Sequence, residues 1–491
     1  MWRSKAVVSL SLSLLFILSG CGGGGYGTGN TGGSSGSGSL PSGGMRISSI
    51  SPNSVAAGSA DITLTVTGAY LDLVHSGGHQ TATVAVWSTN SSQTNLTTTV
   101  LSGAQLIAVV PAALLATPVT AQVFIQKWYF ADDTPFAITN SLTFTVTTAA
   151  STSIAVGSMA VARSSHSATL LPSGMVLVAG GANSSGTLKS AELYDPAKGT
   201  FTATGDLAFP RQGHSATLLP NGKVLLAGGE DDVGPIATAE LYDPASGTFA
   251  SLGTMTSIRW SHTGTLLPNG KVLIAGGANN SDSQDSAEIF DPASNAFTPI
   301  SNMTTARMHH TATVLANGNV LLAGGWSSYS TPLASAELFD PVTNSFVPTG
   351  NMSTPHSFHC SVLLPDGRVL VVGGKKALFS TSAIEVFDPA SGSFAIAGSL
   401  TQARHSHTAT LLPNGKVLVT GGTYSFSGPD APESIVLASS ELYLPGSSGT
   451  APASTMMSPR TGHTATLLND GRVLIIGGSD LATAEIFQDN P

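Results

Sequence analysis

From Ser151 onward, short apolar runs and polar turns follow one another in the same order seven times. In the copy at 211–229, "RQGHSATLLPNGKVLLAGG", alternating residues lead into a Pro-Asn-Gly turn, and an unbroken apolar run follows, closed by Gly228 and Gly229. Alternation with period two predicts a half-buried strand. A short continuous apolar run bounded by turn signals predicts a strand covered on both faces. Further along each copy an "AELYDP"-type run and a short "TF" run, separated by "ASGT", predict a third and a fourth strand. One His recurs per copy, at His166, His214, His262, His310, His359, His407 and His463. The period is about 48 residues, with one longer interval before the last copy, and four strands per unit of that length predict a blade of a β-propeller. Residues 151–491 therefore read as seven blades.

The last copy reaches only its third strand, while "SIAVGSMAVARSSH" at 153–166 matches "TFTATGDLAFPRQGH" at 200–214 with one residue fewer. A strand near 153–156 is expected to complete the last blade, which closes the ring and covers two open edges. Residues 45–147 carry runs such as "DITLTVTGAYL", "TATVAVWS" and "AQVFIQKWYF", with Gly, Pro and Asn between them. Short strands at this spacing predict a small immunoglobulin-like β-sandwich, so the fold class is all-β: a sandwich followed by a seven-bladed propeller. Residues 21–44 are a Gly/Ser-rich tether. Residues 1–20 place Arg3 and Lys5 before an apolar run, Ala6 to Leu18, which is the layout of a signal peptide and too short for a comfortable membrane span.

Three resemblances rest on these stretches. "LSGC" at 18–21 resembles the lipobox of bacterial lipoproteins, which implies that Cys21 is lipidated and that the protein is exported and lipid-anchored, at the outer membrane or cell surface. "RISSISPNSVAAGSADITLTVTGAYL" at 46–71 resembles the opening of an IPT/TIG domain. The Gly pairs (Gly180 and Gly181, Gly228 and Gly229, Gly276 and Gly277, Gly324 and Gly325, Gly373 and Gly374, Gly421 and Gly422, Gly477 and Gly478), together with the "ELYDP" strands, resemble kelch repeats. Their bacterial form is similar to the central propeller of galactose oxidase. The family's usual fourth-strand Trp is replaced by Phe201, Phe249, Phe297, Phe346 and Phe394.

Charge narrows the function. Only 10% of residues are charged and the net charge is -9, so no basic patch is available to neutralise phosphates, and nucleic acid is not an expected partner. "GANSSGTLKS" at 181–190 imitates a phosphate-binding loop, but its spacing is wrong and it leads into a strand where such a loop needs a helix. Apart from Cys21, the only thiol is Cys360, so no disulfide within the mature chain is expected.

The residues that recur once per blade are expected to be scaffold. The His series is expected to bond neighbouring backbone near the channel and not to hold metal. The Gly pairs are expected to serve positive φ or close approach. Arg163, Arg211, Arg259, Arg307, Arg404 and Arg460 stand three residues before six of the His, and Glu192, Glu240, Glu288, Glu337, Glu385, Glu441 and Glu485 recur in the third strands. In so sparsely charged a chain these predict ion pairs between strands or blades, with His356 replacing Arg in the fifth copy.

Function is expected where the copies differ. The connections from second to third strand and from fourth to first share one face, and there Trp260, Trp326, Tyr329 and Tyr424 are candidate ligand-binding residues for a carbohydrate or a protein partner. The expected function is a non-enzymatic binding protein, monomeric, without cofactor or metal, and in contact with membrane only through its lipid. The alternatives are a galactose-oxidase-like copper oxidase or a carbohydrate-active hydrolase. The resemblance implies for the oxidase a copper site with a Tyr cross-linked to Cys, and Cys360 is the only Cys available. The hydrolase would draw on Glu230, Asp231, Asp232, Asp282, Asp285, Asp430 and Glu433. Calcium held by "NNSDSQD" at 279–285 is a further possibility of the same loops.

Overall fold

A computed structural model describes residues 45–56, 61–71, 81–89, 92–115, 117–129, 135–147, 151–328, 331–427 and 432–490. Cys21, the signal segment, Tyr329 and Asp430 lie outside the described residues. Apart from a single 3-10 turn at Ala112–Leu114, the described regular structure is all β.

The first unit is a nine-stranded sandwich whose two sheets are continuous through one strand. Gln93–Ser102 pairs at its start with Thr81–Ser88 and, from Thr97 onward, with Gln105–Val110. A single strand thus turns the corner between the sheets, giving the unit a barrel-like form. Alternate positions point inward, so that Leu64, Val66, Trp87, Leu106, Val123, Ile125 and Phe144 form one core, with the Trp87 and Phe144 rings 5.2 Å apart.

The second unit is a propeller of seven four-stranded antiparallel sheets. Blade two is representative, with Ser215–Leu218 innermost, then Val224–Ala227, Thr238–Asp243 and Thr248–Thr254. Its second strand is apolar throughout because it is sandwiched. Val224 and Leu226 pack with Leu177 and Ala179 of blade one, whereas Leu225 and Ala227 pack with Val272 and Ile274 of blade three. Both faces of that strand meet a neighbour, which is why alternation gives way to a continuous run. The Phe residues standing in for Trp pair across to the third strand, as Phe249 does with Tyr242 at 4.8 Å. The ring closes through Thr152–Ala155, which pair with Ala484–Gln488 and so form the outermost strand of blade seven.

Charged residues of the repeat pin each blade internally. Arg211 is fully buried and donates to the carbonyls of Gly228 and Thr238, both at 2.8 Å, and to Glu240 Oε1, also at 2.8 Å. Glu240 accepts in addition the backbone N–H groups of Ala208 and Phe209. The pair therefore ties the chain entering a blade to the second and third strands of that same blade, and the same arrangement holds Arg163, Arg259, Arg307, Arg404 and Arg460. In blade five His356 takes the Arg place and bonds Glu385.

The repeated His links blades to one another through a hydroxyl of the preceding blade. Nε2 of His214 meets the Ser167 hydroxyl of blade one at 2.9 Å, and the pattern recurs from Ser215 to His262, Thr263 to His310, Thr311 to His359, Thr408 to His463 and Thr464 to His166. Burial, reinforced by the nearby Arg residues, lowers His166, His214, His262 and His463 to about 3, so these rings are neutral. The Gly pair is dictated by the same close approach. Gly228 and Gly229 have φ of 60° and 94°, and a Cβ on either would sit 2.5 or 2.6 Å from a backbone oxygen, Arg259 O or Gln212 O.

Where the repeat departs, the neighbours compensate. In blades two and three, Lys223 and Lys271 pair with the third-strand Asp243 and Asp291. Blade six has Leu444 in that place, and Lys416 reaches Asp489 beyond the third strand of blade seven, at 2.9 Å.

Candidate functional site

The residue immediately before each repeated His builds a second ring, and here the blades are not alike. Ser165, Gly213, Ser261, His309, Phe358, Ser406 and Gly462 each donate a backbone N–H to the carbonyl of the counterpart one blade back, at 2.8 to 3.4 Å. All seven have positive φ, from 51° at Ser261 and His309 to 64° at Gly462. This closed circle lies at the variable-loop end of the innermost strands and frames the channel mouth. Gly takes the left-handed conformation freely and His more readily than most residues, whereas the bulky Phe358 is a strained exception of about 1–3 kcal/mol. Five blades need nothing larger than Ser; blades four and five place aromatic rings.

Those two rings organise the side chains around them. His309 stacks on Phe358 with centroids 3.7 Å apart and planes at 26°. Trp260 meets His309 edge-on at 5.4 Å, and Trp326 meets Phe358 edge-on at 5.3 Å. Short backbone pairings set these positions: Trp260 with Ala278, Met308 with Trp326, Ser357 with Lys375, and His405 with Thr423. Lys375 Nζ stands 6.0 Å from the Phe358 centroid, and the His405 ring 6.2 Å from it. Edge-to-face and offset contacts of this kind hold the cluster rigid.

The mouth carries little charge. Burial, with the Lys375 ammonium adding to it, lowers His309 to about 3 and His405 to about 4, so both are neutral imidazoles. Burial also lowers Lys375. On blade two, burial raises Glu230 above the usual carboxylate range, although the Gln212 amide donates to it at 3.1 Å.

Of the four aromatic candidates, Trp260 and Trp326 are brought together through His309, and Tyr329 lies outside the described residues. Tyr424 belongs to a different feature, the hairpin Thr423–Ser427 with Pro432–Val436 on blade six, where it stacks on Phe426 at 4.9 Å. His309, Phe358 and Lys375 were not anticipated. Their signal is one column of the repeat, reading Ser, Gly, Ser, His, Phe, Ser, Gly.

Several loop acids are engaged in local structure. Asp231 accepts the backbone N–H groups of Val233 and Gly234, and Asp232 accepts both groups of Thr187 from blade one. The Asn279 side chain closes the turn at Ser281 and Asp282. Among the described residues no group of three or more His, Cys, Asp or Glu is placed to hold a metal ion. The Cys360 thiol, pushed up to about 12 by burial, donates to the His407 carbonyl at 3.0 Å.

The kelch motif matches residues 259–304 and 307–353, which carry blades three and four. No curated protein sequence matches the chain. Among solved structures, a fungal alcohol oxidase of the AA5 family, solved in complex with copper, aligns over 70% of this chain and 76% of its own, with 19% identity and a TM-score of 0.55. The structure of YjhT aligns over 57% of this chain and 99% of its own, with 13% identity and a TM-score of 0.45. The kelch motifs, the seven blades and the likeness to the oxidase in fold together describe a seven-bladed β-propeller with kelch motifs in blades three and four.

Proposed function

We propose that this is a non-enzymatic binding protein that holds a carbohydrate on the aromatic cluster of its channel mouth. The observation that carries the reading is the break in seven-fold likeness at His309 and Phe358, two stacked aromatic rings flanked by Trp260 and Trp326. A sugar ring offers C–H faces for stacking on aromatic rings and hydroxyls for the few polar groups nearby, Lys375 and the Gln212–Glu230 pair. Low charge at the mouth suits a neutral saccharide. In this reading Cys21 bears the lipid of a bacterial envelope protein, residues 21–44 are the tether, and the IPT/TIG-like unit at 45–147 is a spacer.

The fold neighbour's copper raises a second reading, and the donor set does not fit it. Cys360 is half-buried on an innermost strand with its thiol turned to the His407 carbonyl, and Tyr194, Tyr242 and Tyr443 are buried in the hydrophobic clusters between blades. A hydrolase gains no support from Asp231, Asp232 and Asp282, whose carboxylates accept backbone or cross-blade bonds.

The test is calorimetric titration of the protein with a panel of neutral oligosaccharides, in parallel with a variant carrying Trp260→Ala and Trp326→Ala. Loss of one stacking contact weakens binding about tenfold. Equal affinity of the two proteins rejects the mouth as the site.

A further inference from the structure

We propose that His356 makes the channel mouth responsive to pH, weakening the ligand site as the solution turns alkaline. The inference rests on the mouth as the binding site and adds its regulation. In six blades the entering chain is pinned by an arginine, whose charge is permanent. Blade five alone uses an imidazole. His356 is fully buried, and both of its ring nitrogens face acceptors: Nδ1 donates to the Gly373 carbonyl at 2.5 Å and Nε2 to Glu385 Oε1 at 3.1 Å. A carbonyl and a carboxylate can only accept, so the ring must carry both protons to make both bonds. Removing one proton leaves a buried acceptor facing a nitrogen lone pair.

The surrounding groups favour the charged pin. Burial pushes Glu385 upward, but the bond from His356 and those from Ser353 outweigh it, and the carboxyl lies below its ordinary range. The other titratable group beside the ring is His359, with centroids 5.8 Å apart and the imidazole driven well below its usual range by burial and by His356. From blade four the Arg307–Glu337 pair occupies the equivalent place, and Arg404 of blade six presents its carbonyl to Gly374 N–H. Burial lowers the other nine described histidines, and none of them has a carbonyl and a carboxylate facing its two ring nitrogens as His356 has.

The pin and the mouth are two residues apart. Glu385 also accepts the N–H groups of Ser353 and Thr354, so it gathers the whole segment that ends in Phe358. Ser357 exchanges backbone bonds with Lys375, and Phe358 closes the ring between His309 and Ser406. Loosening the pin loosens the strained aromatic residue and the cation beside it. Both bonds need both ring protons, so the pin is made in acid and given up as the solution turns alkaline.

The test compares the protein with His356→Arg and His356→Gln in melting and in saccharide binding at about pH 5.5 and about pH 8. The unaltered protein should lose about 3 °C more than H356R on going to the higher pH, and H356Q should be low at both. Its binding should weaken about fivefold while that of H356R holds. Parallel melting curves for the unaltered protein and H356R overturn the proposal, as does binding with the same pH dependence in both. Should no saccharide bind at either pH, the mouth reading fails by itself, and melting still decides whether His356 is the titrating pin.

Discussion

Cys360 shows how much one atom matters in a repeated structure. It occupies the position where the other blades carry Ser or Thr, whose hydroxyl meets the next blade's His. The thiol turns to the His407 carbonyl, and neither nitrogen of the His407 ring has a partner among the described residues. The belt of side-chain bonds between innermost strands is open at that one junction. A threonine there is compatible with strand geometry and restores the hydroxyl that Thr311 gives His359. Cys360→Thr should therefore stabilise the protein by about 1 kcal/mol, read as a rise in the denaturant midpoint without a change of slope. A lowered midpoint would show that the junction is shaped around sulfur and not left unsatisfied.

At the scale of elements, closure depends on Thr152–Ala155, the only strand of its blade that precedes the others in sequence. Deleting residues 151–155 from the full chain leaves Ala484–Gln488 as a bare edge, long enough to recruit another chain. The variant should melt lower and associate with rising concentration, visible as growing mass in light scattering; a monomer with unchanged melting would mean that Thr152–Ala155 contributes nothing to closure. This strand was legible because it keeps the register of the fourth strands elsewhere, and the blades were legible because apolar runs mark strands covered twice. Other features needed three dimensions. The shared strand Gln93–Ser102 alternates like any other, and its change of partner leaves no trace in pattern. The extra hairpins on blades one, four, five and six read only as polar loops. Trp260 and Trp326 were legible as rare aromatics on variable segments, yet His309 and Phe358, which join them, sit inside the conserved frame of the repeat and escape attention as neighbours of its His.

Across the whole molecule, the two rings around the channel make opposite use of repetition. The His and hydroxyl belt is nearly uniform and serves rigidity, whereas the mouth ring carries aromatic side chains in two adjacent blades and Ser or Gly in the rest. Replacing both residues, His309→Ser with Phe358→Ser, returns blades four and five to the form found in blades one, three and six. The backbone ring persists, since its bonds involve only main-chain atoms, and the left-handed positions lose their bulky occupants. Against that gain stands the loss of the stacked pair and its edge contacts, about 0.5–1.5 kcal/mol for each aromatic contact. Five ring contacts go with the two side chains, together more than the relief at Phe358, so the double variant should melt a few degrees below the parent while losing saccharide binding. Melting and titration on the same preparation check both halves together. A variant that melts as high as the parent would show that the ring contacts add nothing to the packing of the mouth, and one that binds as tightly as the parent would remove the aromatic mouth from any role in recognition.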